Sequence, residues 1–315
     1  MPIDRLAASC ARLLLDWVNA RYEASFALSE AAGDALVATD GRRRLGLYIA
    51  PLWEREAAQA WEERLRATET RLNGPEGAFV LWVPPGASVP ADEPAASVFV
   101  ARVQEAAGSL TPGATTEVLF PRPVAMAKTR QEGGYASVTG ALSRWWTRVT
   151  EKVQGTYTVD GSAVHRVTHD GEAREKLWDW IGVLSQGVEL GQAIEFEVDE
   201  AWTLQRLASD TEPGLARSGV EGFTLIGAPP EIDPTDGILV RRTARKRLAA
   251  ANEALGPLDV DLRAAGLVGI YEYLDLETAG ATVKALDPSL YSRFQVVSII
   301  ADAGVRPTFA PKSLS

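Results

Sequence analysis

The sequence predicts a mixed α/β fold in two domains. Apolar residues recur at helical spacing in some stretches and form short bounded runs in others, and the two kinds alternate along the chain. The 315 residues are 46% apolar and 23% charged, an ordinary globular balance. That length suits two domains better than one. Gly108, Pro112 and Gly113 interrupt the pattern. The domains are therefore expected at 1–108 and 109–315, each mixing helices and strands.

Taken in order, residues 3–27 read as an amphipathic helix. Ile3, Leu6, Cys10, Leu13, Leu14, Trp17, Val18 and Tyr22 recur on one face. Residues 35–39 and 43–50 read as a hairpin closed by a tight primed turn at Asp40-Gly41. Pro51 ends the second strand. A helix over 53–72 follows, rich in helix formers and charge pairs, and Asn73-Gly74-Pro75 stops it. Residues 78–83 are a buried strand, 87–94 a loop and 97–107 a short helix.

In the second half, 117–120 is a short strand stopped by Pro121. Ser137 or Thr139 caps a helix running to about 153. Residues 156–159 and 163–167 form a hairpin around Asp160-Gly161. Helices are expected at 171–188, 200–208, 240–255 and 277–286, and strands at 193–198, 222–227 and 294–301. Residues 266–273 suit a strand or a buried helix.

The net charge is −10 and the isoelectric point near 4.9. Nucleic-acid binding draws most of its affinity from cations on phosphates, so any such contact must come from a local basic patch. No apolar run is long enough to cross a membrane. The N-terminus lacks a basic head with an apolar run behind it, so no secretory leader is expected. The one cysteine, Cys10, permits no internal disulfide and falls on an apolar helix stripe. A cytoplasmic, acidic protein is the expectation.

Residues 34–51 carry the sharpest signal. Asp34 precedes an apolar strand, a turn follows, and a second apolar strand ends at Tyr48-Ile49-Ala50-Pro51. With the helices and the strand around it, the order over about 3–83 is helix, strand, strand, helix, strand. That segment resembles the restriction-endonuclease-like, PD-(D/E)XK nuclease superfamily. The resemblance implies an α-β-β-α-β core followed by a second α+β domain. It also implies a site in which two carboxylates hold Mg²⁺ and a lysine stabilises the reacting phosphate. Asp34 matches the acid that opens the first strand. Tyr48 stands where the family has Glu, and Ala50 where it has Lys. The resemblance therefore implies a degenerate, inactive site with no metal. An active alternative would recruit Mg²⁺ through Asp34 with Glu54 or Glu56, and charge from Arg42 to Arg44. The plainer reading of Glu54 and Glu56 is favourable placement at a helix N-terminus.

Two basic stretches are candidates for phosphate contact. Ser137, Thr139, Arg144 and Arg148 lie around a Gly-rich loop and helix start, although the Gly-Lys-Ser/Thr of a phosphate loop is absent. Arg241, Arg242, Arg245, Lys246 and Arg247 put five cations in seven residues on a helix. The plainer reading of the first stretch is a capped, partly buried helix whose arginines pair with acids, and of the second a solvated helix face or one docked on an acidic surface. His165 and His169 are four residues apart, the spacing of a helical zinc pair, but Val164 to Thr168 reads as a strand leading to the Asp170-Gly171 turn, so no zinc pair is expected. Glu195, Glu197 and Asp199 alternate on one strand face, which reads as metal-binding or simply solvated. No catalytic serine motif is present.

The function these residues imply is a non-catalytic structural or recognition subunit of a bacterial DNA-processing or phage-defence-type complex. Such a subunit has protein partners, contacts DNA or RNA through its basic patches, and needs no cofactor and no membrane. The alternatives are a protein–protein scaffold without nucleic-acid contact, and a Mg-dependent nuclease.

Overall fold

A computed structural model describes residues 4–208, 221–232, 236–269 and 286–314, with the side chains of residues 55–57 outside that description. The expected helix at 277–286, except its last residue, and the second half of the ambiguous segment at 266–273 fall outside the described residues, while 266–268 are strand. The fold is mixed α/β. The chain forms two compact units, the first from 1–85, 107–115 and 204–315, the second from 86–106 and 116–203. This differs from a division at residue 108, because the first unit gathers both ends of the chain.

In the first unit, α1 (Arg5–Tyr22) starts on Asp4, whose carboxylate accepts the Leu6 N–H. Strand β1 (Ala27–Ala32) was not expected, because its solvent-facing Ser29 and Glu30 hide an apolar pattern. It pairs antiparallel with β2 (Ala35–Thr39), which pairs antiparallel with β3 (Arg44–Pro51). The tight turn is at Gly33-Asp34, between Ala32 and its partner Ala35, with Gly33 at φ +63°. The Asp40-Gly41 segment is instead a four-residue loop, since Thr39 pairs with Arg44. Asp40 accepts from the backbone of Arg42 (2.9 Å) and Arg43 (2.7 Å), a side-chain-built turn in place of a primed one. Those bonds and the Arg43 guanidinium hold its carboxyl down at about 2.

Helix α2 (Arg55–Glu69) leads to β4 (Ala78–Trp82). A core closed within 3–83 needs β4 beside β3, but β3 pairs parallel with β10 (Leu262–Val268) and β4 pairs parallel with β9 (Gly222–Ile226). The first sheet runs β1-β2-β3-β10-β11-β12, with β11 (Val296–Ala301) parallel to β10. The expected last strand is followed by another, β12 (Gly304–Phe309), antiparallel to β11. Helices α1 and α6 (Gly237–Leu255) pack on β3 and β10. The strands β3, β10 and β11 are buried almost throughout, as parallel strands covered by helices must be.

The second unit holds most of α3 (Ala95–Ser109) and a sheet in the order β6-β7-β5-β8. Strand β5 (Thr115–Arg130) runs through Pro121 and Pro123. Both prolines precede the stretch paired with β7 (Gly155–Asp160), which begins at Ala125, so their missing N–H groups cost that ladder nothing. Residues 163–167 do not form a strand with β7, whose partners are β5 and β6 (Gly134–Val138). The Val164 carbonyl accepts from Ala141 and the Arg166 carbonyl from Ala201, while Val164 is buried in the apolar cluster. Helix α5 (Gly171–Gln186) matches its expectation, and Asp170 caps it. Residues 200–206 are strand, not helix, because β8 spans Ala193–Arg206. Residues 200–204 are buried on both faces, which erases the alternation that marks a strand. A 3-10 helix (Gly140–Trp145) and α4 (Trp146–Lys152) replace the single helix expected to 153.

Candidate functional site

Among the described residues, the nuclease-like constellation does not assemble. Leu36 pairs with Leu47, so the register carries Asp34 towards the Tyr48–Ala50 end of β3. Asp34, however, sits exposed in a hairpin turn. Tyr48 and Ala50 are buried in the core of the first unit, on a strand paired along both edges. Glu54 is turned to another task. Its carboxylate lies 2.9 Å from Lys246 Nζ and 3.8 Å from the Arg247 guanidinium. The hydrogen bond from Lys246 holds its pKa below the ordinary value against the opposing effect of burial. The Glu56 side chain lies outside the described residues. Arg43 is committed to Asp40 and to the Leu314 carbonyl, and Arg44 to Glu30 at 2.7 Å. Among the described residues, no group of three or more acids, histidines or cysteines is placed to hold a metal ion.

The basic stretch of α6 divides in two. Arg247 donates to the carbonyls of Pro51 (3.1 Å) and Trp53 (2.7 Å), and with Lys246 on Glu54 it pins the turn from β3 into α2. Arg241, Arg242 and Arg245 are exposed. Their spacing puts them on one face, and Ile238, 83% exposed, shares it one turn earlier. Asp287 lies close enough to Arg245 to feel its charge.

The other predicted patch is largely engaged within the second unit. Thr139 does not cap the following helix. Its hydroxyl bonds the Asp160 carboxylate at 2.9 Å and accepts the Gly161 N–H at 3.1 Å. Arg148 pairs with Glu151 at 3.3 Å. Ser137 is exposed on β6, and Arg144 is exposed on the 3-10 helix. Glu195, Glu197 and Asp199 form an exposed strand face.

Two polar arrangements escaped the sequence reading. The first is a closed cluster in the second unit. The Glu200 side chain is fully buried, with Arg122 Nε at 2.7 Å, His165 Nδ1 at 2.8 Å, the His165 backbone N–H at 2.9 Å and the Trp202 indole N–H at 3.1 Å. Burial pushes this carboxyl upward, but the His165 and Trp202 bonds and the Arg122 charge outweigh it and leave the pKa lowered. Gly86 (φ +85°) closes over His165, where an added Cβ would stand 2.7 Å from Cδ2. Trp202 packs against Phe99 and Phe120 at 5.4 and 5.1 Å. Buried from residues distant in sequence, this cluster has the saturation of a structural element.

The second is a crevice in the first unit. Trp82, Gly227, Gly269 and Asp302 follow or end the strands β4, β9, β10 and β11, and Trp53 follows β3, so five carboxyl ends converge on one point. In open α/β sheets this is where ligands bind. A larger cleft of about 570 Å³ adjoins it, sharing Trp53 and Gly227. The start of α1, one face of α2 and β9 line this cleft. Glu69 is buried there and accepts the Leu225 N–H at 2.7 Å. Burial raises its pKa, only partly offset by that bond and by Arg5 and Arg66. Arg5 is 4.0 Å from Glu69, and Arg66 pairs with Glu62 at 3.4 Å. The Trp61 indole N–H reaches the Gly227 carbonyl at 2.9 Å. The indole nitrogens of Trp53 and Trp82 and the Nε of Arg5 are buried without a hydrogen-bond partner.

No family model, curated protein or solved structure matches this chain.

Proposed function

We propose that the protein is a non-catalytic recognition subunit of a DNA-processing assembly, which contacts nucleic-acid phosphates through α6. The exposed triplet Arg241, Arg242 and Arg245 carries this reading, because it concentrates positive charge on one helix face of a chain whose net charge is −10. Cations so placed bind phosphates and release counterions. The resemblance of residues 3–83 to the nuclease superfamily supports the process by analogy alone. Catalysis is left out, since Glu54 is held by Lys246 and positions 48 and 50 are core. A gel-shift titration at low and moderate salt tests the proposal. Wild type should bind duplex DNA or RNA at micromolar protein, and R241E/R242E/R245E should lose that binding. Equal binding by both proteins, or none by wild type at low salt, overturns it.

A protein–protein scaffold is the second reading. Exposed Leu119 and Trp180, with Val167 and Leu177, line a groove of about 530 Å³ in the second unit, rimmed by Glu117, Asp170, Glu197 and Asp199. Native purification should then yield a stoichiometric partner, whereas a lone monomer by light scattering removes this reading.

A further inference from the structure

The cleft of the first unit has an uneven supply of hydrogen-bonding groups. Its charges are already matched. Asp4 caps α1, Arg66 pairs with Glu62, and Arg5 bonds the Glu221 carbonyl at 2.6 Å and faces Glu69. The remaining carboxyl, Glu69, is pushed by burial towards its neutral form. A charged ligand would have to break one of these pairs. What is left over is donor capacity: Arg5 Nε and the indole N–H of Trp53, both buried and both unpartnered. Trp53 is 2% exposed. Buried donors without partners are costly, and these two belong to residues that line the cleft, where an acceptor supplied from outside the chain can meet them.

The walls add a second requirement. Leu6, Trp53, Leu65 and Leu225 give the cleft apolar faces, and its 570 Å³ falls in the range of small-molecule sites. The Arg247 side chain donates to the Trp53 carbonyl and Lys246 to the Glu54 carboxylate, so the turn that carries this wall is tethered to α6. Apolar faces with unmatched donors and balanced charge suit a flat uncharged ring with acceptor atoms on its edge.

We infer that this cleft is a binding site for an uncharged heteroaromatic ring bearing carbonyl or ring-nitrogen acceptors, the chemistry of a nucleobase. The inference is independent of the phosphate contact proposed for α6. The ring lies among Trp53, Leu65 and Leu225, and its acceptors take the donors of Trp53 and Arg5. Glu69, when protonated, adds a further donor, and when ionised it accepts from a ring amino group.

The test uses the full chain and the indole N–H resonances of its tryptophans. The Trp53 signal is identified by its loss in Trp53→Phe, which keeps a ring and removes the donor. Adenosine, guanosine, cytidine and uridine are titrated separately, with toluene as a ring without acceptors and inorganic phosphate as an acceptor without a ring. At least one nucleoside should move the Trp53 signal saturably with a midpoint of about 1 mM or below, as expected for a ligand of this size. Arg5→Lys keeps the charge, removes Nε, and should weaken that binding at least about three-fold, a cost of the size of one lost hydrogen bond. If Trp53→Phe does not fold, the melting temperature replaces the signal: the same nucleoside should raise it in wild type and raise it less in Arg5→Lys. The inference is overturned if no nucleoside produces either effect, or if toluene or phosphate produces it equally well.

Discussion

Each unit buries a glutamate, and the two glutamates live under opposite conditions. Glu200, in the second unit, is met by an arginine, a histidine, an indole and a backbone N–H. Glu69, in the first, has one backbone N–H at 2.7 Å and an arginine at 4.0 Å. Burial raises Glu69, whereas the partners of Glu200 overcome burial and lower it. The indole nearest each glutamate's site differs in the same way: that of Trp202 is bonded to Glu200, while that of Trp53, which lines the Glu69 cleft, has no partner. A saturated polar cluster is finished when the chain folds. An unsaturated one has capacity left for something that arrives later.

Removing Glu200 should therefore produce the largest effect. Glu200→Leu strands Arg122 and the His165 and Trp202 donors, and should cost about 3–5 kcal/mol in denaturant unfolding. A loss below about 1 kcal/mol would mean that the cluster contributes little to holding the second unit. Gly86→Ala comes next. It forces an L-residue to φ +85° and sets a Cβ 2.7 Å from His165, for an expected loss of about 1–2 kcal/mol. Unchanged stability would show that this loop moves away from the ring freely.

Two tryptophans of the first unit give a finer comparison. Trp61→Phe breaks the bond to Gly227, and Trp53→Phe breaks none. Trp61→Phe should cost about 1 kcal/mol more in the ligand-free protein. Equal losses would indicate that the Trp53 indole has a partner after all.

The pH dependence separates the glutamates by sign. Glu69, raised from its ordinary 4.5, binds more protons folded than unfolded, so its contribution is full below that value and fades as pH rises through the raised one. Glu200 is lowered from the same 4.5, so its contribution is full above that value and fades as pH falls through the lowered one. Glu69→Gln should flatten the alkaline side of the acid-range stability profile and Glu200→Gln the acid side. The reverse assignment would contradict the account of both environments.

These distinctions were only partly legible in the sequence. Helices α1, α2, α5 and α6 carry clear 3.6-residue patterns, and all four lie within a few residues of their expected bounds. The strands β3, β4 and β9 showed as apolar runs, but an apolar run does not name its neighbour. That β3 takes β10 and β4 takes β9 depends on contacts across about 200 and 140 residues, which no local pattern encodes. Residues 200–206 misled because burial of 200–204 on both faces removes the strand period. The basic residues of α6 were found, yet only the fold separates the tether, Lys246 and Arg247, from the exposed Arg241, Arg242 and Arg245. The Glu200 cluster unites residues 122, 165, 200 and 202, and the crevice unites the ends of five strands. Neither has a spacing that could be read in advance.

The contrast between the units is tested most directly by watching two indoles in one titration. As nucleoside is added to the full chain, the account predicts that the N–H resonance of Trp53 moves saturably while that of Trp202, already bonded to Glu200, stays where it is. Movement of Trp202 alongside Trp53, or a Trp53 signal that never moves, would contradict it.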